Sequence, residues 1–151
     1  IILQEVHSTE LDQWIKERHY LKSVPAGAAL RLEFLEGGKR IGAMMWGRPT
    51  ARTLDQKSLL QLTRMCFINE TERFVESRAL AMARKYIRKH KPEIKGLITY
   101  ASLDEGHEGI IYLADNWFSI GRTKNSLKGW ETRAGRTNRD LGEKVKFARS
   151  P

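Results

Sequence analysis

Two periods of apolar residues alternate along the chain, and together they lay out its elements. Leu11, Trp14, Ile15 and Arg18 fall at helical spacing and predict a first helix over Thr9–Tyr20, which Ser8 or Thr9 can cap. Pro25, Ala26 and Gly27 then break the chain. Leu30, Leu32 and Phe34 alternate with polar residues, Gly37–Gly38 supplies a turn, and Arg40–Trp46 returns, so Ala29–Gly47 reads as a β-hairpin. Leu59–Ile68 is a third strand, apolar enough to be central. Glu76–His90 is the clearest helix: Ala79, Leu80, Ala83 and Ile87 form its apolar stripe, and Arg84, Lys85, Arg88 and Lys89 its wet face. Pro92 stops it. Ile94–Ala101 is a strand, and Gly109–Phe118 a shorter core helix closed by Gly121. One or two late strands are expected around Trp130 and Val145–Phe147. The order is helix, hairpin, strand, helix, strand, helix, tail. It predicts an α/β fold in which helices flank a mixed β-sheet. The whole of 1–151 is expected to be one domain, with 121–151 as a basic C-terminal segment.

Charge changes the picture more than composition does. With 40% hydrophobic and 30% charged residues the chain is ordinary for a soluble globular protein. No apolar run approaches the ~20 residues of a membrane span. Ile1–Val6 lacks the features of a signal peptide and an initiator Met, which predicts trimming or processing at that end. The single cysteine, Cys66, allows no internal disulfide and reads as a small buried hydrophobe. A reducing bacterial cytoplasm and no membrane partner are expected. The net charge is +9, and Gly121–Pro151 carries nine Lys/Arg against three acids, a net of +6. Such a block favours a polyanion, because clustered cations release counterions from phosphates. A basic tail with no partner is the plainer alternative.

Candidate chemistry falls in four places. The turn Asn69–Ser77 joins a buried strand to a helix start, where unpaired N–H groups and the helix dipole suit a phosphate or simply an ordinary cap; Arg73 and Arg78 add charge. In Tyr100–Gly121, Tyr112 and Asn116 lie four residues apart and are expected to share one helix face, with Asp104 and His107 in the loop before it. His107 can be a base, a metal ligand, a cap or a plain surface residue. Asp104, Glu105, His107 and Glu108 lack a two-His spacing, and no metal site is expected. His19 and Tyr20 close the first helix, where a histidine is favourable by dipole alone. Trp46, Tyr112, Trp117, Phe118 and Trp130 are an aromatic set beside the basic segment; all except Trp130 are expected in the core, and Trp130 to stack an unpaired base.

The stretch GHEGIIYLADNWFSIG at 106–121 resembles the signature of the phage Mom-type DNA-modification proteins. ITYAS, Glu76–Ser77–Arg78, the LTRM strand and the early WIKERHYL stretch fall where that family has similar elements, over about residues 11–133. The resemblance implies the GNAT acyltransferase fold and a methylcarbamoyl group placed on the exocyclic amine of adenine in phage DNA, which protects that DNA from host restriction. It also implies a coenzyme A thioester, acetyl-CoA, held at Arg64 and around the second helix by Arg73, Glu76, Ser77 and Arg78. Two departures stand out. Asn69–Ser77 contains no glycine, whereas the GNAT pyrophosphate loop is glycine-rich, and Trp117 occupies the position of the GNAT proton-donating tyrosine. An acetyl donor, moreover, yields an acetyl amide, so a methylcarbamoyl product needs a further nitrogen.

On this reading the chain is a transferase acting on double-stranded DNA. The base is flipped from the duplex. Asp104 or His107 accepts the amine proton, with His19 and Tyr20 the fallback location. Tyr100, Tyr112 and Asn116 orient the base or stabilise the oxyanion. Arg122, Lys124, Lys128, Trp130, Arg133, Arg136 and Arg139 hold the DNA. The alternatives are an acetyltransferase of a protein or small amine, and a non-catalytic DNA-binding module on the same scaffold. Monomer and homodimer are both compatible with the sequence.

Overall fold

Alternation in Leu30–Glu36 and the apolar return of Lys39–Gly47 make the hairpin, and the glycines between them set its turn. In the computed structural model, which describes residues 1–19, 22–68, 74–102, 109–123 and 143–151, Gly37 and Gly38 both take positive φ (59° and 79°). That is the two-residue turn whose twist matches the strands it joins. The strands are numbered β1 (Ile2–Glu5), β2 (Leu30–Glu36), β3 (Lys39–Gly47), β4 (Leu59–Phe67), β5 (Gly96–Ser102), β6 (Phe118–Thr123) and β7 (Lys144–Arg149). They form one sheet in the order β1-β2-β3-β4-β5-β7-β6, and only β4 and β5 run parallel. Strands from both ends of the chain join this sheet, in keeping with the mixed sheet expected from the pattern.

The helices are α1 (Glu10–Arg18), α2 (Val75–His90) and α3 (Ile110–Ala114). Residues 41–47 of β3 are buried on both faces, which gives the sheet two cores. On one side Leu11 and Ile15 of α1 pack on Ala43 and Met45. On the other, Ala79, Leu80, Ala83 and Ile87 of α2 meet Met44, Trp46, Leu62 and Leu97. Ion pairs strap α1 across the hairpin: Arg31 grips Asp12 with two bonds of 2.8 and 3.1 Å, and Arg40 reaches both Glu10 and Glu33. Among the described residues no helix is long and apolar enough to cross a membrane.

Several expectations need correction. β1 was not foreseen; it is a four-residue edge strand, and the Tyr86 hydroxyl of α2 donates to its Glu5. The short helix stops at Ala114, four residues early, and Gly121 lies inside β6 instead of capping a helix. The strand expected around Val145–Phe147 is present as β7, but its place in the sheet was not foreseen: Thr123 of β6 pairs with Lys144 of β7, and β7 inserts between β6 and β5. The strand expected around Trp130 lies outside the described residues. Arg84 is not on a wet face. Its guanidinium makes two 2.7 Å bonds to Asp115, whose side chain is 5% exposed. Asp115 also accepts from Trp117 Nε1 at 2.8 Å, and Arg149 of β7 donates to its carbonyl. One carboxylate thus ties α2, the end of α3 and β7 together.

Removing one partner of a buried pair leaves the other charge without compensation. Asp115→Asn is therefore expected to cost about 3–5 kcal/mol, read as a lower denaturant midpoint at constant m-value. An unmoved midpoint contradicts the role assigned to this pair.

Candidate active site

β4 begins as a partner of β5 and then leaves it. The two pair from Leu59↔Gly96 to Leu62↔Thr99, yet β4 continues to Phe67 and β5 to Ser102. The divergence starts where β4 carries an extra residue: Met45 faces Arg64 and Trp46 faces Leu62, so Thr63 is bulged. Thr63 Oγ1 donates to the Met45 carbonyl at 3.0 Å and holds the bulge. Beyond it, residues 63–67 and 100–102 line a V-shaped notch whose facing edges the β4–β5 ladder does not pair. Open α/β sheets take ligands at the carboxyl ends of their strands, in such a crevice.

The vertex of the notch is built from hydroxyls. Thr99 Oγ1 donates to the Leu62 carbonyl at 3.3 Å, and Tyr112 shares a hydrogen bond with Thr99. Tyr112 is 8% exposed. Its ring stacks on Phe147 (centroids 5.4 Å apart) and meets the edge of Trp117 at 5.6 Å. Burial pushes the Tyr112 hydroxyl above the usual tyrosine range, with the Thr99 bond opposing. Gly109 makes this packing possible: it precedes α3 at φ +83°, and a Cβ there would sit 2.2 Å from the Phe147 ring.

The register places Thr99 and Ala101 on the α2 side of the sheet, and Arg64, Cys66, Tyr100 and Ser102 on the α1 side. Burial pushes the Cys66 thiol up to about 11, against the pull of Arg18 and Lys22, so it stays a thiol at neutral pH. Burial likewise raises Tyr100, which lies one residue past the last β4–β5 pair. Ser102 is 1% exposed, and its hydroxyl has no partner among the described residues; the same holds for Trp46 Nε1, across the ladder from Leu62. α2, the next element after β4, begins after Phe74, a residue in left-handed conformation (φ 66°) that provides no side-chain cap. The N–H groups of its first turn have no partner within the helix.

The expected site residues separate. Tyr112 and Asn116 share no helix face, because α3 has ended and Asn116 is exposed in left-handed conformation. Tyr100 and Tyr112 lie on opposite sides of the sheet. Arg64 clamps the segment after α1, donating to the Ser23 carbonyl at 2.9 Å and to the Thr63 carbonyl at 2.7 Å. Ser77 Oγ donates to the Phe74 carbonyl at 3.1 Å, with Glu76 beside it in the first turn and Arg78 exposed. His19 is buried and follows α1 directly. Arg122 pairs with Glu143 at 3.8 Å on the surface. Trp46 and Trp117 are in the core as expected, whereas Phe118 is 72% exposed. Tyr20, Arg73, Asp104, His107, Lys124, Lys128, Trp130, Arg133, Arg136 and Arg139 lie outside the described residues. Thr63, Thr99, Ser102 and Asp115 were missed. Only the alternation of Leu97, Thr99 and Ala101 signalled Thr99, and nothing local signals a bulge.

The geometry can be set beside known proteins. Residues 1–148 match the model of the Mom protein family. The chain belongs to that family. This Mom-family chain is 28% identical over 121 residues to the methylcarbamoylase mom of Escherichia phage Mu, covering 75% of its own length and 50% of that protein. It therefore spans half the length of this relative. Among solved structures it is similar to a GNAT-family acetyltransferase from Streptococcus pneumoniae (TM-score 0.65, 7% identity, 99% and 98% of the two chains). It is similar also to a Bacillus subtilis acetyltransferase in complex with coenzyme A (TM-score 0.68, 7% identity, 99% and 97%). At such identities the likeness concerns the fold, and the Mom-family chain has the GNAT fold.

Tyr112→Phe removes only the hydroxyl that braces the vertex. Losing one buried hydrogen bond is expected to lower stability by about 0.5–1.5 kcal/mol, measured by chemical denaturation. No change would mean that the hydroxyl faces water.

Proposed function

We propose that this chain transfers an acyl-type group from a coenzyme A thioester to the exocyclic amine of adenine in DNA, as a methylcarbamoylating member of its family. The observation that carries the reading is the notch between β4 and β5, opened by the Thr63 bulge in the strand that precedes α2. The residues present fit such a donor. The facing strand edges suit an amide-bearing arm. The uncapped first turn of α2, with Ser77 and Arg78 and with Arg73 just ahead of it, suits phosphates. Glu76 in that turn opposes an anion. In the absence of a glycine-rich loop, Arg73 and Arg78 must supply the offsetting charge. The thioester contributes an acyl carbon activated towards attack; an acetyl donor would leave an acetamide, so a methylcarbamoyl product calls for a donor that already carries the nitrogen.

The chain's own groups do the rest. The adenine amine is a poor nucleophile, since its lone pair is delocalised into the ring. It must be flipped out, held against the acyl carbon and relieved of a proton. Asp104 and His107, which follow β5 in sequence, are assigned here as proton acceptor. Tyr100 and Ser102 point to the same side of the sheet and are assigned to orienting the base. His19 and Tyr20 remain the fallback location for the base. Lys124, Lys128, Arg133, Arg136 and Arg139, which lie between β6 and β7 in sequence, are assigned together with Arg122 to the duplex backbone, and Trp130 to stacking an unpaired base. A non-catalytic DNA-binding module is the second reading, favoured by Glu76 in the first turn of α2. Protection of phage DNA from restriction follows if the modification is made.

The chain is to be expressed in a bacterial host, its DNA digested to nucleosides, and the deoxyadenosine pool examined by mass spectrometry. A deoxyadenosine heavier by one methylcarbamoyl group is expected. Unmodified DNA that the protein nevertheless binds would establish the second reading, and an acetylated protein or small amine in its place would overturn both.

A further inference from the structure

The sheet is covered unevenly. On the α2 side β5 and β7 are sealed by Leu97, Ala101 and Phe147. On the other side α1 packs on β3, through Ala43 and Met45, and among the described residues that core does not reach β5, β7 and β6, whose face is open at Phe118 and half-covered at Tyr100, Lys144 and Lys146, with Ile98 and Ser102 buried. The register arranges that open face in three rows. Ile98, Ala148 and Phe118 form the first, Tyr100, Lys146 and Gly121 the second, and Ser102, Lys144 and Thr123 the third. The first row borders an apolar groove of ≈ 350 Å³ that also includes Ile120. Phe118 is 72% and Ile120 52% exposed. Lys146 Nζ stands 5.9 Å from the centre of the Tyr100 ring. The three strands hold four cations, Arg122, Lys144, Lys146 and Arg149, and no aspartate or glutamate. Arg122 and Arg149 turn to the other side, towards Glu143 and Asp115. Lys144 and Lys146 belong to the open face. Across the notch, Arg18 and Lys22 come close enough to Cys66 to act on it electrostatically.

We propose that this open face of β5, β7 and β6 holds an unstacked stretch of DNA strand, with bases on Phe118 and Tyr100 and a phosphate on Lys146. Aromatic rings on a cationic surface receive bases through their π-faces whatever the sequence. A second copy of the chain would also cover the apolar row, but no carboxylate on these strands could meet its lysines. A polyanion meets that charge pattern directly. The inference rests on the reading of the chain as a DNA-modifying enzyme and adds where the strand lies. The face adjoins the notch through Tyr100 and Ser102, so a strand lying across it brings its next base to the donor.

The test is fluorescence anisotropy with a labelled adenine-containing single strand and the matching duplex, using the full chain, Phe118→Ser and Lys146→Glu. Both side chains lie on the open face, and unchanged thermal melts confirm the fold. Phe118→Ser is expected to weaken single-strand binding on the order of tenfold, and duplex binding less. Lys146→Glu is expected to lower the log–log salt slope by about one to two. Full affinity in both variants, while wild type binds and modifies DNA, overturns the proposed surface and leaves the function standing. Equal losses on both DNA forms contradict base stacking. A dimer that Phe118→Ser splits without loss of DNA affinity assigns the face to a second copy. Wild type that neither binds DNA nor modifies adenine fails the underlying reading as well.

Discussion

The parting of β4 and β5 after Leu62 and Thr99 is the constraint on which the rest of the structure depends. A parallel pair in the middle of a sheet ordinarily stays paired, since each ladder bond left unmade exposes a donor and an acceptor. Here one additional residue, Thr63, turns β4 away, and its hydroxyl secures the turn on Met45. The vertex is then braced from the α2 side by Thr99 and Tyr112. Tyr112 is braced in turn by Phe147 and Trp117, and Trp117 by the Asp115–Arg84 pair. The family stretch at 106–121 thus includes much of what holds the notch open. Gly109, Tyr112, Asp115 and Trp117 all belong to it, and each has an identifiable packing or hydrogen-bonding reason to be there.

This separates two roles that the sequence ran together. Residues of the family stretch looked like candidates for chemistry because they are polar or aromatic and close in sequence. Of these, Tyr112, Asp115 and Trp117 are buried and engaged with one another. The groups that face the notch from the α1 side come instead from β5, with cations from β7, α1 and the segment after it nearby. Alternation along a strand divides Thr99 from Tyr100 and sends them to opposite sides of the sheet. One side is structural support; the other, where Tyr100 is half-buried and Ser102 buried, lies beside the lysines of β7.

How legible each element was depended on how many of its determinants are local. The hairpin and α2 were readable because two glycines and a four-residue apolar stripe suffice to specify them. β1 was not, since a short edge strand owes its existence to pairing with β2. β6 was read as the end of a helix because Ile110–Phe118 is apolar but for Asp115 and Asn116. The left-handed Asn116 that ends the helical run has no glycine beside it. Arg84 read as surface because the carboxylate that buries it lies 31 residues away. A late strand around Val145–Phe147 was legible, but nothing in the composition of the basic segment tells that Lys144–Arg149 inserts between β5 and β6. The bulge at Thr63 exists only in register with β3, so no pattern in the sequence marks the notch.

Hydrogen exchange followed by mass spectrometry, with and without coenzyme A, tests the central claim most directly. If the notch is the donor site, coenzyme A slows exchange of the backbone amides of residues 63–67 and 100–102 and of the first turn of α2. The β2–β3 hairpin should exchange as before. Binding that protects other segments and leaves both sides of the notch unchanged, or no binding at all, would contradict the account.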